Sequence, residues 1–242
     1  MAWYAYCICE QSVFLSGVRA RRPFPIPGVN GIRGAQVMAY PSGEFAIIVS
    51  ECEPDTVMDQ PSVFDHARVV SECFRSGTVL PFRFGTIFSS DEALRRAVRS
   101  NRKALTDGVT RLRGKSEMHL KLVIRDESQH DGAANLALPH TAGSEYLTRL
   151  HVKATRQRER QSKARAISVQ VHKLFNPLEE EISCKTDSSG LLLDIAHLID
   201  SGSVKKYQSR YTAAARHLKN CEIVVTGPWP PYHFTPNKIK TA

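Results

Sequence analysis

The sequence predicts an α+β protein of two domains, and three observations carry that expectation. Short runs rich in aromatic and β-branched residues alternate with a period of two, as strands do. Other stretches repeat their apolar residues at three- and four-residue steps, as amphipathic helices do. After Gly114 the two kinds of segment follow one another as β-α-β-β-α-β, the order of a ferredoxin-like four-stranded sheet with two helices on one face. The expected organisation is a small mixed α+β domain over 1–113, a ferredoxin-like domain over 114–236 and a tail over 237–242.

Taken in order, residues 2 to 9 read as the first strand. Residues 17 to 34 are rich in glycine, proline and arginine and are expected to form a loop. "AQVMAY" and "FAIIVS" are strands joined by a Pro-Ser-Gly turn, a hairpin signal. From Ser62, the residues Val63, Ala67, Val70 and Phe74 keep helical spacing, and Gly77 stands where a C-cap belongs. "SSDE" offers a capping box, Ser89 with Glu92, for one helix carrying Leu94, Val98, Leu105, Val109 and Leu112 to Gly114. "EMHLKLVIR" is a strand, 126 to 142 a polar loop, and a long helix runs from about Ser144 to Phe175. A short strand is expected around 181 to 186, and "LLLDIAHLI" is a buried strand. Ser203 caps a helix with a Val204, Tyr207, Tyr211, Ala214 and Leu218 stripe, "CEIVVTG" is the last strand, and "PWPPYHF" is expected to be irregular.

Composition narrows the function classes. No apolar run reaches the ~20 residues of a membrane-spanning helix, and "MAWYAYCICE" lacks the basic start of a signal peptide. A soluble intracellular protein is expected. Six cysteines without a CxxC pair do not form a zinc pattern; Cys7 and Cys9 are read as reduced core residues. The net charge is +9, with 14 basic against 11 acidic residues up to Gly114 and 19 against 13 after it. That excess permits an anionic partner and selects none.

The stretch "TVLPFRFGTIF", residues 78 to 88, is apolar enough for a buried strand yet contains Pro81, Arg83 and Gly85. Proline and glycine belong at edges or bulges. Arg83 either clamps a phosphate or carboxylate or, as is expected with no glycine-rich phosphate loop beside it, pairs with Asp65 or Glu72 and pins the segment. His66 is either a satisfied core histidine or a catalytic base, and no GxSxG, HExxH, Walker or Rossmann pattern supports an enzyme. On the long helix, Arg149, Lys153, Arg156, Arg160 and Lys163 share one face. They form a solvated surface or a cationic rib that docks a partner. A basic ferredoxin-like fold also suits a nucleic-acid-binding module. Against it, the strands of the second half lack aromatic residues for base stacking and the RNP1 pattern is missing.

Three stretches in order, "HARVVSECFRSGTVLPFRFGTIF", "LRGKSEMHLKLVI" and "TGPWPPYHF", resemble the gas vesicle protein F/L family. One departure is Met118, where the family carries tryptophan or another bulky residue. The resemblance implies an accessory protein of gas vesicle formation in the cytoplasm, with no catalytic role and no cofactor. It implies contact with the very apolar vesicle shell protein and with other accessory proteins. It also marks Pro81, Arg83, Gly85, Gly227, Trp229 and Tyr232 as signature residues, structural or partner-binding. Trp229 and Tyr232 are expected to bury their rings at a domain junction.

Overall fold

The computed structural model describes residues 2–13, 22–53, 56, 58–124, 142–187, 190–218 and 221–236. They group into two compact units. The first takes residues up to Glu117, Leu198–Gly202 and Gly227 onward; the second takes Met118–His197 and Ser203–Thr226. The architecture is mixed α+β with two sheets. The polar loop expected at 126 to 142 falls almost wholly outside the described residues, and the 237–242 tail entirely so. No described helix is long and apolar enough to cross a membrane.

The first unit is built around β1 (Ala2–Glu10), with β2 (Phe24–Asn30), β3 (Gln36–Ser42), β4 (Phe45–Cys52), β5 (Val79–Pro81) and β6 (Ile87–Phe88). The sheet order is β2-β3-β4-β1-β5, and β6 pairs β1 beside β5. β1 is central, and every residue but its last is buried, so its aromatic-rich run is covered on both faces. The β3–β4 hairpin closes at Ser42↔Phe45, so β3 runs two residues past the end expected at Tyr40. Gly43 takes the positive φ of 68° that this two-residue turn requires. The loop expected at 17 to 34 is corrected in part, because residues 24–30 are a strand. Pro25 and Pro27 are tolerated there because β2 is an edge, its register with β3 broken between Pro25 and Asn30.

Three helices pack with this sheet. α1 (Gln60–Ser76) starts two residues earlier than its apolar pattern, because the Asp59 side chain accepts from the Ser62 N–H at 3.0 Å. Its buried residues are Ser62, His66, Val69, Val70 and Cys73, a face rotated from the expected stripe, and Val63 lies exposed. Gly77 has φ 173°, ordinary extended backbone, so it is no left-handed cap. A Cβ there would meet Val13 Cγ2 at 2.7 Å, and close approach explains the glycine. The single helix expected up to Gly114 is two, α2 (Asp91–Ser100) and α3 (Arg102–Leu112). Ser90, not Ser89, caps α2. The break is Asn101, whose side-chain amide donates to the Ala97 carbonyl at 2.7 Å and competes with the helix ladder.

The second unit contains β7 (Lys115–Ile124), α4 (Ala142–Phe175), β8 (Glu179–Asp187), β9 (Gly190–Asp200), α5 (Val204–His217) and β10 (Cys221–Trp229), some of whose end residues group with the first. Its sheet order is β10-β7-β9-β8. β9 is the buried strand that "LLLDIAHLI" suggests, with Leu191, Leu193, Ile195 and His197 all inside. Tyr207 and Ala214 of α5 are buried, but Tyr211 is exposed and Ser203 makes no capping bond. β10 runs through the cis Gly227–Pro228 bond to Trp229, so the first part of "PWPPYHF" is a strand after all.

Candidate functional site

The stretch 78–88 lies along β1 as two short strands with a bulge between them. Val79, Leu80 and Pro81 pair Cys9, Ile8 and Cys7; Ile87 and Phe88 pair Tyr4 and Trp3. Between them the Phe82 N–H donates to the Tyr6 carbonyl and the Ala5 N–H to the Thr86 carbonyl, both at 2.9 Å. The Thr86 hydroxyl and N–H close the bulge on the Arg83 carbonyl. Gly85 adopts φ 84° and gives its N–H to Tyr4 Oη at 3.1 Å. Proline sits at the end of pairing and glycine where the chain turns back, which is why both occur in so apolar a run.

Arg83 corrects the expected buried pair. It is exposed on the bulge and has no ion-pair partner among the described residues. Asp65 instead meets Arg68 at 2.7 Å and the Arg33 N–H at 3.1 Å, and Glu72 meets Arg75.

The buried hub beneath the bulge is His66. Its Nδ1 shares a 2.8 Å hydrogen bond with Tyr4 Oη, while its Nε2 is buried without a hydrogen-bond partner. Burial depresses its pKa to about 4, against an opposing effect of the Phe82 backbone, so the ring is neutral at pH 7. Burial likewise pushes the Tyr4 phenol up to about 12. Aromatic rings surround the imidazole: Tyr4 and Tyr6 at 5.7 Å, Phe84 at 5.9 Å and Tyr232 at 6.5 Å. The two motif stretches singled out in the sequence thus meet at one histidine, Phe84 from the first and Tyr232 from the second. Tyr6 adds a further tie, accepting from the Ile32 N–H at 2.9 Å and donating to Ser50 Oγ at 3.1 Å. An open cleft of about 920 Å³ reaches these tyrosines past Ile32, Arg33 and Cys52.

The closing motif is fixed in the same unit. Gly227 has φ 119°, Pro230 and Pro231 are buried, and the Tyr232 N–H donates to the Pro230 carbonyl at 2.8 Å. Trp229 is 45% exposed, so it does not bury its ring as expected. The fully buried Glu117 carboxylate accepts from the His233 N–H and bonds the His233 ring, each at 2.8 Å. Arg111 donates to the Phe234 carbonyl. Val63, Phe64 and Phe84 are large apolar side chains of this unit left exposed, Phe64 at 67%.

A second histidine network went unnoticed in the sequence. His197 Nδ1 meets Tyr207 Oη at 2.6 Å, its Nε2 meets Glu180 at 2.7 Å, and Glu180 also meets His172 at 3.4 Å. Burial lowers the His197 pKa, against the opposing Glu180 carboxylate, and pushes the Tyr207 phenol up. Both rings are closed off from solvent, so the trio ties α5, β9 and β8 together. Only "HL" inside an apolar strand hinted at it. On α4, Lys153 and Lys163 are exposed and Arg160 is half-buried, while the side chains of Arg149 and Arg156 lie outside the described residues. Cys7, Cys9 and Cys73 are core residues, and desolvation pushes the Cys7 and Cys9 thiols well up, away from the reactive thiolate.

No curated protein sequence matches the chain. Its fold is similar to the crystal structure of gas vesicle protein GvpF from Microcystis aeruginosa, at 17% identity and a TM-score of 0.72, covering 97% of this chain and 99% of that one. It is equally similar to GvpF from Anabaena sp. PCC7120, at 15% identity and a TM-score of 0.73, covering 98% and 97%. The family model described as gas vesicle synthesis protein GvpL/GvpF matches residues 2–236, which take in both histidine networks and both motif stretches. The chain is therefore a member of the GvpL/GvpF family of gas vesicle synthesis proteins.

Proposed function

We propose that the protein is a cytoplasmic gas vesicle accessory protein that takes part in vesicle assembly by binding the apolar shell subunit and other accessory proteins. It works by contact and not by catalysis, with no cofactor. The observation that carries this reading is the family match over residues 2–236. In this reading the chain has an N-terminal domain over 1–113, a ferredoxin-like domain over 114–236, whose last residues from Gly227 group with the first compact unit, and a tail over 237–242; the order β10-β7-β9-β8 supports the ferredoxin-like arrangement. Pro81, Gly85, Gly227 and Tyr232 hold the architecture around His66. Arg83 and Trp229, both exposed, serve as contacts in this reading.

The exposed Val63 and Phe64 of α1 offer an apolar partner the kind of surface it recognises. The experiment is co-purification of the shell subunit with wild type and with Val63→Ser/Phe64→Ser. The wild type should retain the subunit and the variant should lose it at an unchanged melting temperature. Failure of the wild type to retain it, or undiminished retention by the variant, would count against shell binding through this face.

A further inference from the structure

The order β10-β7-β9-β8 leaves β8 at an edge of its sheet, with β9 its neighbour. Exposed edges invite pairing with another chain, and proteins blunt them with prolines, bulges, short strands or charged side chains. The first unit does this on β2, with Pro25, Pro27 and a broken register. β8 is a full nine residues, "EEEISCKTD", without proline or glycine, and the protection it carries is charge, in Glu179, Glu180, Glu181, Lys185 and Asp187. Residues 181–185 are all exposed, and Ile182 is 41% exposed. We propose that β8 is a self-association strand, which pairs antiparallel with β8 of a second copy about a two-fold axis at Ile182.

The charge sequence selects both the occupant and the register. When two copies extend one continuous sheet, residues facing each other must lie on the same face, which restricts the register to steps of two. A pairing centred on Glu181 opposes two glutamates. One centred on Ser183 pairs Glu181 with Lys185 but also sets Glu179 against Asp187, and one centred on Cys184 sets Glu181 against Asp187. Centred on Ile182, Glu179 meets Lys185 twice, no like charges meet, and the two isoleucines cover each other on the axis. A strand whose charges complement its own reversed copy is matched to a second copy of itself.

Analytical ultracentrifugation of the full chain tests this. Wild type should show a concentration-dependent dimer that weakens with added salt, as exposed ion pairs do. Lys185→Glu should weaken it by on the order of tenfold, and Glu179→Lys/Lys185→Glu should restore it. A second measurement reads geometry. In a Cys184→Ser background, Ile182→Cys should cross-link between copies through a disulfide or a short bis-thiol reagent, and Ser183→Cys should not. A wild type that stays monomeric at its highest soluble concentration, a dimer indifferent to Lys185→Glu, or cross-linking through position 183 and not 182 would overturn the proposal. None of these readouts depends on shell binding.

Discussion

His66 is held neutral by burial, and this has a definite sign. Its pKa is about 4 in the folded chain and about 6.5 in an unfolded one, so acid favours the unfolded state, which takes the proton first. The contribution of the neutral ring is complete above pH 6.5 and is lost as pH falls from 6.5 to 4, roughly 3 kcal/mol in all. His197, also depressed by burial, acts in the same direction. Urea unfolding at a series of pH values should show this fall, and His66→Phe should flatten it in part; an equally steep fall in that variant would remove His66 as its source. Arg83→Ala should leave stability within about 0.5 kcal/mol of wild type, since the side chain is exposed. Gly31→Ala should not be neutral. Its Cβ would fall 2.2 Å from Tyr6 Oη and 2.6 Å from Ser50 Oγ, and overpacking of that kind costs about 1–3 kcal/mol by denaturant titration.

At the scale of elements, α4 buries Ala164, Val171 and Phe175 in its second half, whereas Leu150 to Glu159 expose every side chain described. Lys153→Glu/Lys163→Glu should therefore keep wild-type helix content and melting behaviour. If the rib docks an accessory protein, co-purification with it should drop; unchanged co-purification would make this face a solvated surface. The elements also show what local pattern can and cannot specify. β1, the β3–β4 hairpin and β9 were legible because strand alternation and turn glycine are local signals. β2 was not, because proline argues against a strand until the strand is known to be an edge. The buried face of α1 is not encoded locally for a related reason: Val63 and His66 lie on neighbouring stripes of the helix, and His66 is the one that meets the Tyr4 hydroxyl from another element. The Asn101 break was hidden because the apolar period runs on across it. The motif residues were legible, but their meeting at His66 spans the chain from Tyr4 to Tyr232 and no local spacing encodes it.

For the whole molecule, residues 227–236 complete the unit that β1 begins. Truncation after Thr226 removes two donors to the buried Glu117, the Tyr232 ring beside His66, and the Pro236 ring that any side chain at position 108 would strike at 3.0 Å. The truncated chain should lose its cooperative thermal transition and bind a hydrophobic dye; a sharp transition near that of the full chain would show the segment to be dispensable. The same feature sets an order of events during translation. Residues 118–226, which apart from Leu198–Gly202 belong to the second unit, emerge between Glu117 and Gly227, and at ~5–20 residues per second a ribosome needs on the order of ten seconds to make them. For that interval the side of β1 and α1 that Tyr232 later covers faces the surroundings of the nascent chain. The unit that contains β1 is thus closed only when the residues after Thr226 arrive, and whatever meets it in those seconds meets it unclosed.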